Sequence, residues 1–286
     1  MGLIAAVVAL LASLLGGSMA VTGPCTSAWR DVGHTDFASA VGAIRSQGVT
    51  TDGQQWWFSW QGGLSRANNA YNTILASPIA IPPALAAAGS NHIGDIDFDR
   101  GRLIAPIEDG HLAGVGSGPE YQHPWLVFYN AKTLLPTGAR YELPQSLQRD
   151  GVPWVAVDHA HHLAITAEWD NTKVLNFWAI DNGMHLVRQL PLARTVGRIQ
   201  GAKVLGDWLY AARDDDLKSV VRINLSTGAV EDLYQFRYVG EQEGIAIRHT
   251  ADDALLHVLV ILGSATDPTH FHVSLHHLAP PCSFSP

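Results

Sequence analysis

The stretch Glu243-Gly244-Ile245-Ala246-Ile247-Arg248 has the pattern of a short strand with a small residue near its start. A second, longer strand of apolar residues follows it after a turn, and the same order of elements recurs along the chain. The recurring short strands are Gln47–Asp52, Ile93–Phe98, Pro153–Asp158, Gln200–Leu205 and Glu243–Arg248. This repeat decides the fold.

The spacing of the repeat predicts a β-propeller. The rounds start at Gly48, Gly94, Trp154, Gly201 and Gly244, so they are 46, 60, 47 and 43 residues apart. The longest round contains a Gly-rich insertion, Gly110–Gln122. Four strands in about 45 residues are typical of a propeller blade, whose sheet buries its two faces only by stacking on neighbouring blades.

Five blades are favoured over six in this all-β fold, and the N-terminal segment is predicted to close the ring. The fifth round ends after its third strand, near Leu278, while an unassigned strand-like segment lies near Ser27–Gly33. The predicted blades span residues 47–90, 91–150, 151–197, 198–240, and 241–281 completed by 26–34.

The first 20 residues predict export. They contain no charged side chain, Leu3–Leu15 is apolar except for Ser13, and Ser18-x-Ala20 has the small-x-small pattern of a cleavage site. We therefore expect a signal peptide over residues 1–20, a single domain over 21–286 in a secreted or periplasmic location, and no membrane span after cleavage.

The two cysteines stand near opposite ends of the chain. In an exported protein an even number of cysteines favours a disulfide, so Cys25 and Cys282 are predicted to pair and to tie the ends of the ring together.

Composition excludes several classes of function. A net charge of −8 argues against a nucleic-acid partner, because phosphate binding needs a basic face. The chain has no G-x-S-x-G, H-E-x-x-H, Walker A or EF-hand pattern. A monomer that binds a small molecule, a carbohydrate or a secreted protein is expected.

The repeat resembles the secreted β-propellers of the superfamily that includes the senescence marker protein/gluconolactonase group and the paraoxonases. The phrases His92-Ile93-Gly94-Asp95-Ile96-Asp97 and Glu243-Gly244-Ile245-Ala246-Ile247 carry the resemblance, which covers residues 47–278. It implies six blades, a calcium ion on the axis and lactonase chemistry. Of the residues at matching positions, Glu243 and Asp95 correspond to the acidic ligands, and the family's set of Asn ligands is missing.

Two functions follow for the channel mouth, where the entries to the inner strands and the ends of the second strands meet. The first is a non-catalytic site for a small polar ligand, carbohydrate or protein, whose candidate contacts are Trp60, Trp154, Trp169, Gln200 and Arg213. The alternative is a calcium-dependent hydrolase of esters or lactones with His92 as general base, whose candidate metal ligands are Asp95, Glu108, Glu168 and Glu243.

Overall fold

The structure is a computed structural model that describes residues 28–110, 120–249, 254–263 and 272–282. It is an all-β protein with five antiparallel sheets arranged as a five-bladed β-propeller. The strands are β1 (Arg30–Phe37), β2 (Gly48–Thr51), β3 (Gln55–Trp60), β4 (Gly63–Asn68), β5 (Thr73–Ser77), β6 (His92–Ile93), β7 (Asp97–Asp99), β8 (Arg102–Glu108), β9 (Trp125–Asn130), β10 (Pro136–Glu142), β11 (Ala156–Asp158), β12 (Leu163–Thr166), β13 (Thr172–Ala179), β14 (His185–Val196), β15 (Ile199–Leu205), β16 (Trp208–Arg213), β17 (Ser219–Asn224), β18 (Val230–Gln235), β19 (Gly240–His249), β20 (Ala254–Leu262) and β21 (His272–Ala279).

In the described ranges, helical structure occurs only in short connections. Two α-helices, α1 (Ser39–Gly42) and α2 (Pro83–Ala87), precede the first and second blades, and 3-10 turns cover Gln145–Leu147 and Ile180–Asn182. Within the described residues, no helix has both the length and the apolar character that crossing a membrane requires.

Each blade runs outward from a short inner strand, as the repeat predicts. Blades 1, 3 and 4 are the sheets β2-β3-β4-β5, β11-β12-β13-β14 and β15-β16-β17-β18. In blade 2 the inner edge of β8 pairs with two short strands, β6 and β7. Between these two strands the chain does not pair with β8, because Asp95 forms a bridge to Trp154 of blade 3 instead. The inner strand predicted there over Ile93–Phe98 is therefore interrupted.

The N-terminal strand completes blade 5, as predicted. β1 pairs with β21, so the sheet order is β1-β21-β20-β19 and both ends of the chain contribute to one blade. Arg30 lies opposite Ala279 and Phe37 opposite Val273 in this pairing. The strand runs a few residues further along the chain than the predicted segment, and the five-sheet ring corrects the six blades that the family resemblance implies.

Residues 1–27, and with them the predicted signal peptide and Cys25, lie outside the described residues. The predicted disulfide with Cys282 therefore stays a prediction. The register of β1 and β21 supports it, because it brings the two segments that lead to the cysteines side by side.

Apolar residues fill the spaces between blades, which is why a four-stranded sheet with two apolar faces is stable only in the ring. Between blades 3 and 4, for example, Trp154, Phe177, Leu209 and Ile223 belong to one buried cluster. Each such cluster removes apolar surface of two blades from water.

Three inner strands meet at the axis through glycines. A Cβ built on Gly244 would lie 2.7 Å from the Cα of Gly48, and one built on Gly201 would lie 2.7 Å from the Cα of Gly244. The backbones of blades 1, 4 and 5 therefore touch where only glycine fits.

Gly244→Ala is accordingly expected to lower the free energy of unfolding by about 2 kcal/mol, the typical cost of forcing an extra carbon into a packed core. The added Cβ would meet the Gly48 Cα and the Asp95 Oδ1, each at 2.7 Å. Denaturant unfolding measures the change, and Gly62→Ala is the control because no atom lies within 4 Å of a Cβ built there. Equal stability of the two variants would contradict this packing.

Candidate functional site

A polar cavity of about 320 Å³ opens at the channel mouth and receives side chains from all five blades. It lies where the inner strands begin and the second strands end, as the blade pattern predicts. Its lining residues are Gln47, Gln61, Asn91, His92, Glu108, Gly110, Tyr121, Asp150, Trp169, Arg198, Gln200, Asp214, Glu241 and Glu243.

Three of these side chains lie close together because the glycines that follow them are in contact. Gln47, Gln200 and Glu243 each precede one of the glycines that touch at the axis, and the Gly244 N–H donates to the Gln47 carbonyl at 2.9 Å. The three side chains therefore leave the backbone close together, at the deep end of the cavity. The repeated pairs Gln-Gly, Gln-Gly and Glu-Gly are the sequence signal for this arrangement.

The axis itself is closed by Asp95, which is fully buried. Its carboxylate accepts hydrogen bonds from the backbone N–H groups of Val49 (2.9 Å) and Ala202 (3.2 Å) and forms an ion pair with Lys203 at 2.6 Å. Burial raises the pKa of Asp95 to about 7, against the lowering effect of Lys203. Asp95 thus joins inner strands of blades 1, 2 and 4 and does not line the cavity.

The neighbouring Asp97 links blades in the same way. Its carboxylate accepts hydrogen bonds from the Thr50 hydroxyl of blade 1 and the Val157 N–H of blade 3, both at 2.8 Å. Both side chains of the Asp95-x-Asp97 pattern are therefore buried and hydrogen-bonded to other blades, and neither lines the mouth cavity.

On one wall of the cavity, His92 is fixed by two hydrogen bonds. Its Nδ1 lies 2.8 Å from Glu108 Oε1, and its Nε2 lies 2.6 Å from the side-chain oxygen of Gln47. The other oxygen of Glu108 accepts the Val152 N–H at 2.6 Å, so the carboxylate that orients the imidazole is itself held by backbone.

On the opposite wall, carboxyl groups outnumber cations. Glu243 is 3% exposed and shares a hydrogen bond with Glu241. Burial, together with the charges of Glu241 and Asp214, raises the pKa of Glu243 well above its usual value. Asp214 is neutralised by Arg198 and Lys218, each at 2.5 Å.

The remaining wall comes from blade 3 and from the insertion of blade 2. Asp150 accepts the backbone N–H groups of Trp169 (3.0 Å) and Asp170 (2.8 Å), and burial raises its pKa. The guanidinium of Arg198 lies 5.0 Å from the Trp169 ring. Burial, with the charge of Glu108 next, raises the pKa of Tyr121 to about 12, so its hydroxyl stays protonated at neutral pH.

The structure brings five of the sequence-predicted residues together in the cavity and leaves five outside it. His92, Glu108, Trp169, Gln200 and Glu243 line the cavity, whereas Asp95, Trp60, Trp154, Glu168 and Arg213 do not.

Each of the five outlying residues has a structural reason for its place. Trp154 is fully buried between blades, and Trp60 packs over the turn at Gly63. Glu168 turns outward to Arg149 at 2.7 Å, and Arg213 pairs with Asp215 at 2.9 Å. Asp95 is held at the axis by Lys203.

The predicted metal ligands are therefore dispersed. In the part of the chain that the structure describes, no group of three or more His, Cys, Asp or Glu side chains is placed to hold a metal ion. Three of the candidate carboxylates already have partners, since Glu108 contacts His92, Asp95 pairs with Lys203 and Glu168 pairs with Arg149.

Among the lining residues that sequence reasoning missed are Gln61, Tyr121 and Asp150. Asp150 precedes an inner strand by several residues, and Tyr121 ends the Gly-rich insertion. The weak signal for both was their position in connections that lead toward the mouth.

The fold and this cavity define a five-bladed β-propeller with a polar cavity at one end of its axis. No family model matches the chain, and no curated protein matches its sequence.

Proposed function

We propose that this chain is an exported β-propeller that binds a small polar ligand in the mouth cavity and does not transform it. The single observation that carries the proposal is the convergence of polar groups from all five blades on one cavity of about 320 Å³. That volume falls at the low end of the range of about 300–1,000 Å³ for small-molecule sites.

Binding is favoured over the calcium-dependent hydrolase because of how the carboxylates are used. A hard cation needs several oxygen ligands around one point. Glu108 holds His92, and Glu168 and Asp95 are engaged with Arg149 and Lys203. The mouth therefore offers both hydrogen-bond donors and hydrogen-bond acceptors to an organic ligand.

A screen of monosaccharides and small organic amines by ligand-observed NMR, followed by calorimetric titration of the hits, tests this function. His92→Ala is expected to weaken a hit at least about tenfold, or about 1.4 kcal/mol, because it removes the imidazole that lies between Glu108 and Gln47.

His161→Ala is the matched control. His161 is an exposed residue that pairs with Asp158 at 2.8 Å, in the turn that leads from β11 to β12. That turn lies at the other end of the inner strand from the mouth. A hit that loses affinity only in His161→Ala, or a screen without hits, would contradict the proposed function.

A further inference from the structure

The deep end of the mouth cavity contains a carboxyl pair in which Glu243 is buried and Glu241 is exposed. Glu243 lies on the inner strand β19, is almost entirely buried, and has the side chain of Glu241, two residues earlier on the same strand, as its hydrogen-bond partner. Two carboxylates can share a hydrogen bond only when one of them carries a proton, because a carboxylate has no donor. Burial, the charges of Glu241 and Asp214 and this hydrogen bond raise the pKa of Glu243 well above its usual value, which favours a proton on the pair.

The surroundings of the pair do not supply a counter-charge. The charged groups that face it are Asp214 at the end of β16 and Asp95 at the axis, and each is already neutralised, by Arg198 with Lys218 and by Lys203. Neither Glu241 nor Glu243 forms an ion pair with any residue in the described ranges. Five carboxyl groups and one guanidinium, that of Arg198, are among the described lining residues.

Two polar side chains near this pair have no hydrogen-bond partner among the described residues. The Nε1 of Trp169 is buried and meets no acceptor among the described residues, and no described residue hydrogen-bonds the side chain of Gln200. Gln47, Gln200 and Glu243 approach the deep end from three inner strands. A primary ammonium group, which has three N–H donors and one positive charge, matches the amide and carboxylate oxygens of Gln47, Gln200 and Glu243, and the Trp169 N–H remains to donate to a hydroxyl oxygen.

We infer that the deep end of the cavity takes the primary ammonium group of a small polyhydroxylated ligand of the amino-sugar class, and that binding expels the proton shared by Glu241 and Glu243. This inference rests on the proposed function of the cavity. The ammonium charge replaces the proton between the two carboxylates, while the amides and Trp169 receive the hydroxyl groups. By linkage, affinity for the ammonium ligand rises with pH as long as the proton competes for the same place.

Calorimetric titration with D-glucosamine, D-glucose and N-acetyl-D-glucosamine tests the inference, because only the first of these carries a cationic amine. At about pH 6, where an amine is protonated, we expect D-glucosamine to bind at least about tenfold tighter than the two neutral sugars. The observed enthalpy in buffers of different ionisation enthalpy is expected to report proton release with D-glucosamine alone.

Glu243→Gln is expected to bring the affinity for D-glucosamine down to that for D-glucose and to abolish the proton release. The matched control is Glu231→Gln, since Glu231 lies on the outer strand β18 and pairs with Arg222 at 2.7 Å, away from the cavity. Thermal unfolding of both variants checks that each is folded.

Three results would overturn the inference: equal binding of the three sugars, binding of D-glucosamine without proton release, or no binding of D-glucosamine. The proposed function is tested separately. A neutral ligand whose binding is weakened by His92→Ala supports a polar-ligand site even when the preference for an ammonium group is absent.

Discussion

Lys203→Met is expected to lower the free energy of unfolding by about 4 kcal/mol, the largest effect that the structure predicts for a single substitution. Lys203 and Asp95 are 4% and 0% exposed, and their side chains are 2.6 Å apart at the axis. Removing the ammonium group leaves the Asp95 carboxylate with hydrogen bonds only from the backbone of Val49 and Ala202. A buried charge without its partner is strongly destabilising.

The double variant Asp95→Asn/Lys203→Met separates the ion pair from the packing. It removes both charges, so we expect it to be more stable than either single variant, and a double-mutant cycle from denaturant unfolding gives the coupling energy. Additive losses, or a loss below about 1 kcal/mol for Lys203→Met, would contradict the role of this pair.

The same variant has a distinct pH signature. Burial already raises the pKa of Asp95 to about 7 in the presence of Lys203, and loss of the ammonium raises it further. A carboxyl whose pKa is higher in the folded than in the unfolded state contributes stability at low pH that is lost as pH rises. Both chains therefore lose this stability between about pH 4 and about pH 7, and Lys203→Met is expected to go on losing it above about pH 7, where the parent chain no longer does.

Acidification is expected to destabilise blade 5 through a buried histidine pair. The Nδ1 atoms of His257 on β20 and His277 on β21 are 2.8 Å apart, and His277 Nε2 lies 3.2 Å from the Thr35 hydroxyl of β1. Burial lowers the pKa of His277 to about 4. Burial, followed by the neighbouring His277 and Arg248, lowers the pKa of His257 well below its usual value.

The sign of the pH effect follows from these directions. In the unfolded chain both imidazoles take up protons near pH 6.5, whereas the folded protein keeps them neutral to lower pH. Their contribution to stability is therefore present above about pH 6.5 and is lost as pH falls toward about 4. His277 alone accounts for up to about 3 kcal/mol over this range.

Measuring the free energy of unfolding between about pH 7 and about pH 4.5 tests this effect. His257→Gln and His277→Gln are each expected to reduce the slope of the free energy of unfolding against pH, even if they also change the free energy at about pH 7. His185→Gln is the control, because His185 is exposed and its replacement is expected to leave the slope unchanged. An unchanged slope in both core variants would contradict the neutral-pair interpretation.

Aspartate–histidine contacts on the seam between β1 and β21 act in a lower pH window. His276 lies 2.6 Å from Asp31, and His272 lies 2.9 Å from Asp36. The hydrogen bond from His272 lowers the pKa of Asp36 despite a small opposing effect of burial. Stability from this carboxylate is present above its unfolded pKa of 3.8 and is lost below it, so it does not mask the effect of the buried pair.

The repeat in the sequence was enough to predict the architecture, because blade formation depends on local patterns. Alternating apolar strands separated by turns recur with one spacing, and each sheet has two apolar faces to bury. The same pattern predicted closure by the N-terminal strand, since a round without a fourth strand leaves an edge that another segment must pair. The break in the inner strand of blade 2 escaped this reasoning because a bridge from Asp95 to another blade causes it.

The location of the mouth cavity was predicted better than the set of residues that line it. Position in the blade pattern placed His92, Glu108, Trp169, Gln200 and Glu243 near the axis. It could not reveal that a cation lies beside some carboxylates, because Lys203 and Arg149 reach their partners from other segments of the chain.

The sequence by itself determined the propeller architecture and which ends of the strands face the mouth, and it favoured five blades over six, since these follow from the spacing and direction of short segments. Only the tertiary structure decided which acidic groups are neutralised and which are not. Lys203 reaches Asp95 over 108 residues of chain, and Gly48, Gly201 and Gly244 meet only when three blades are in place. Charge pairing depends on distances of a few ångströms between such remote segments, so Glu243 is distinguished from Asp95 only in the folded ring.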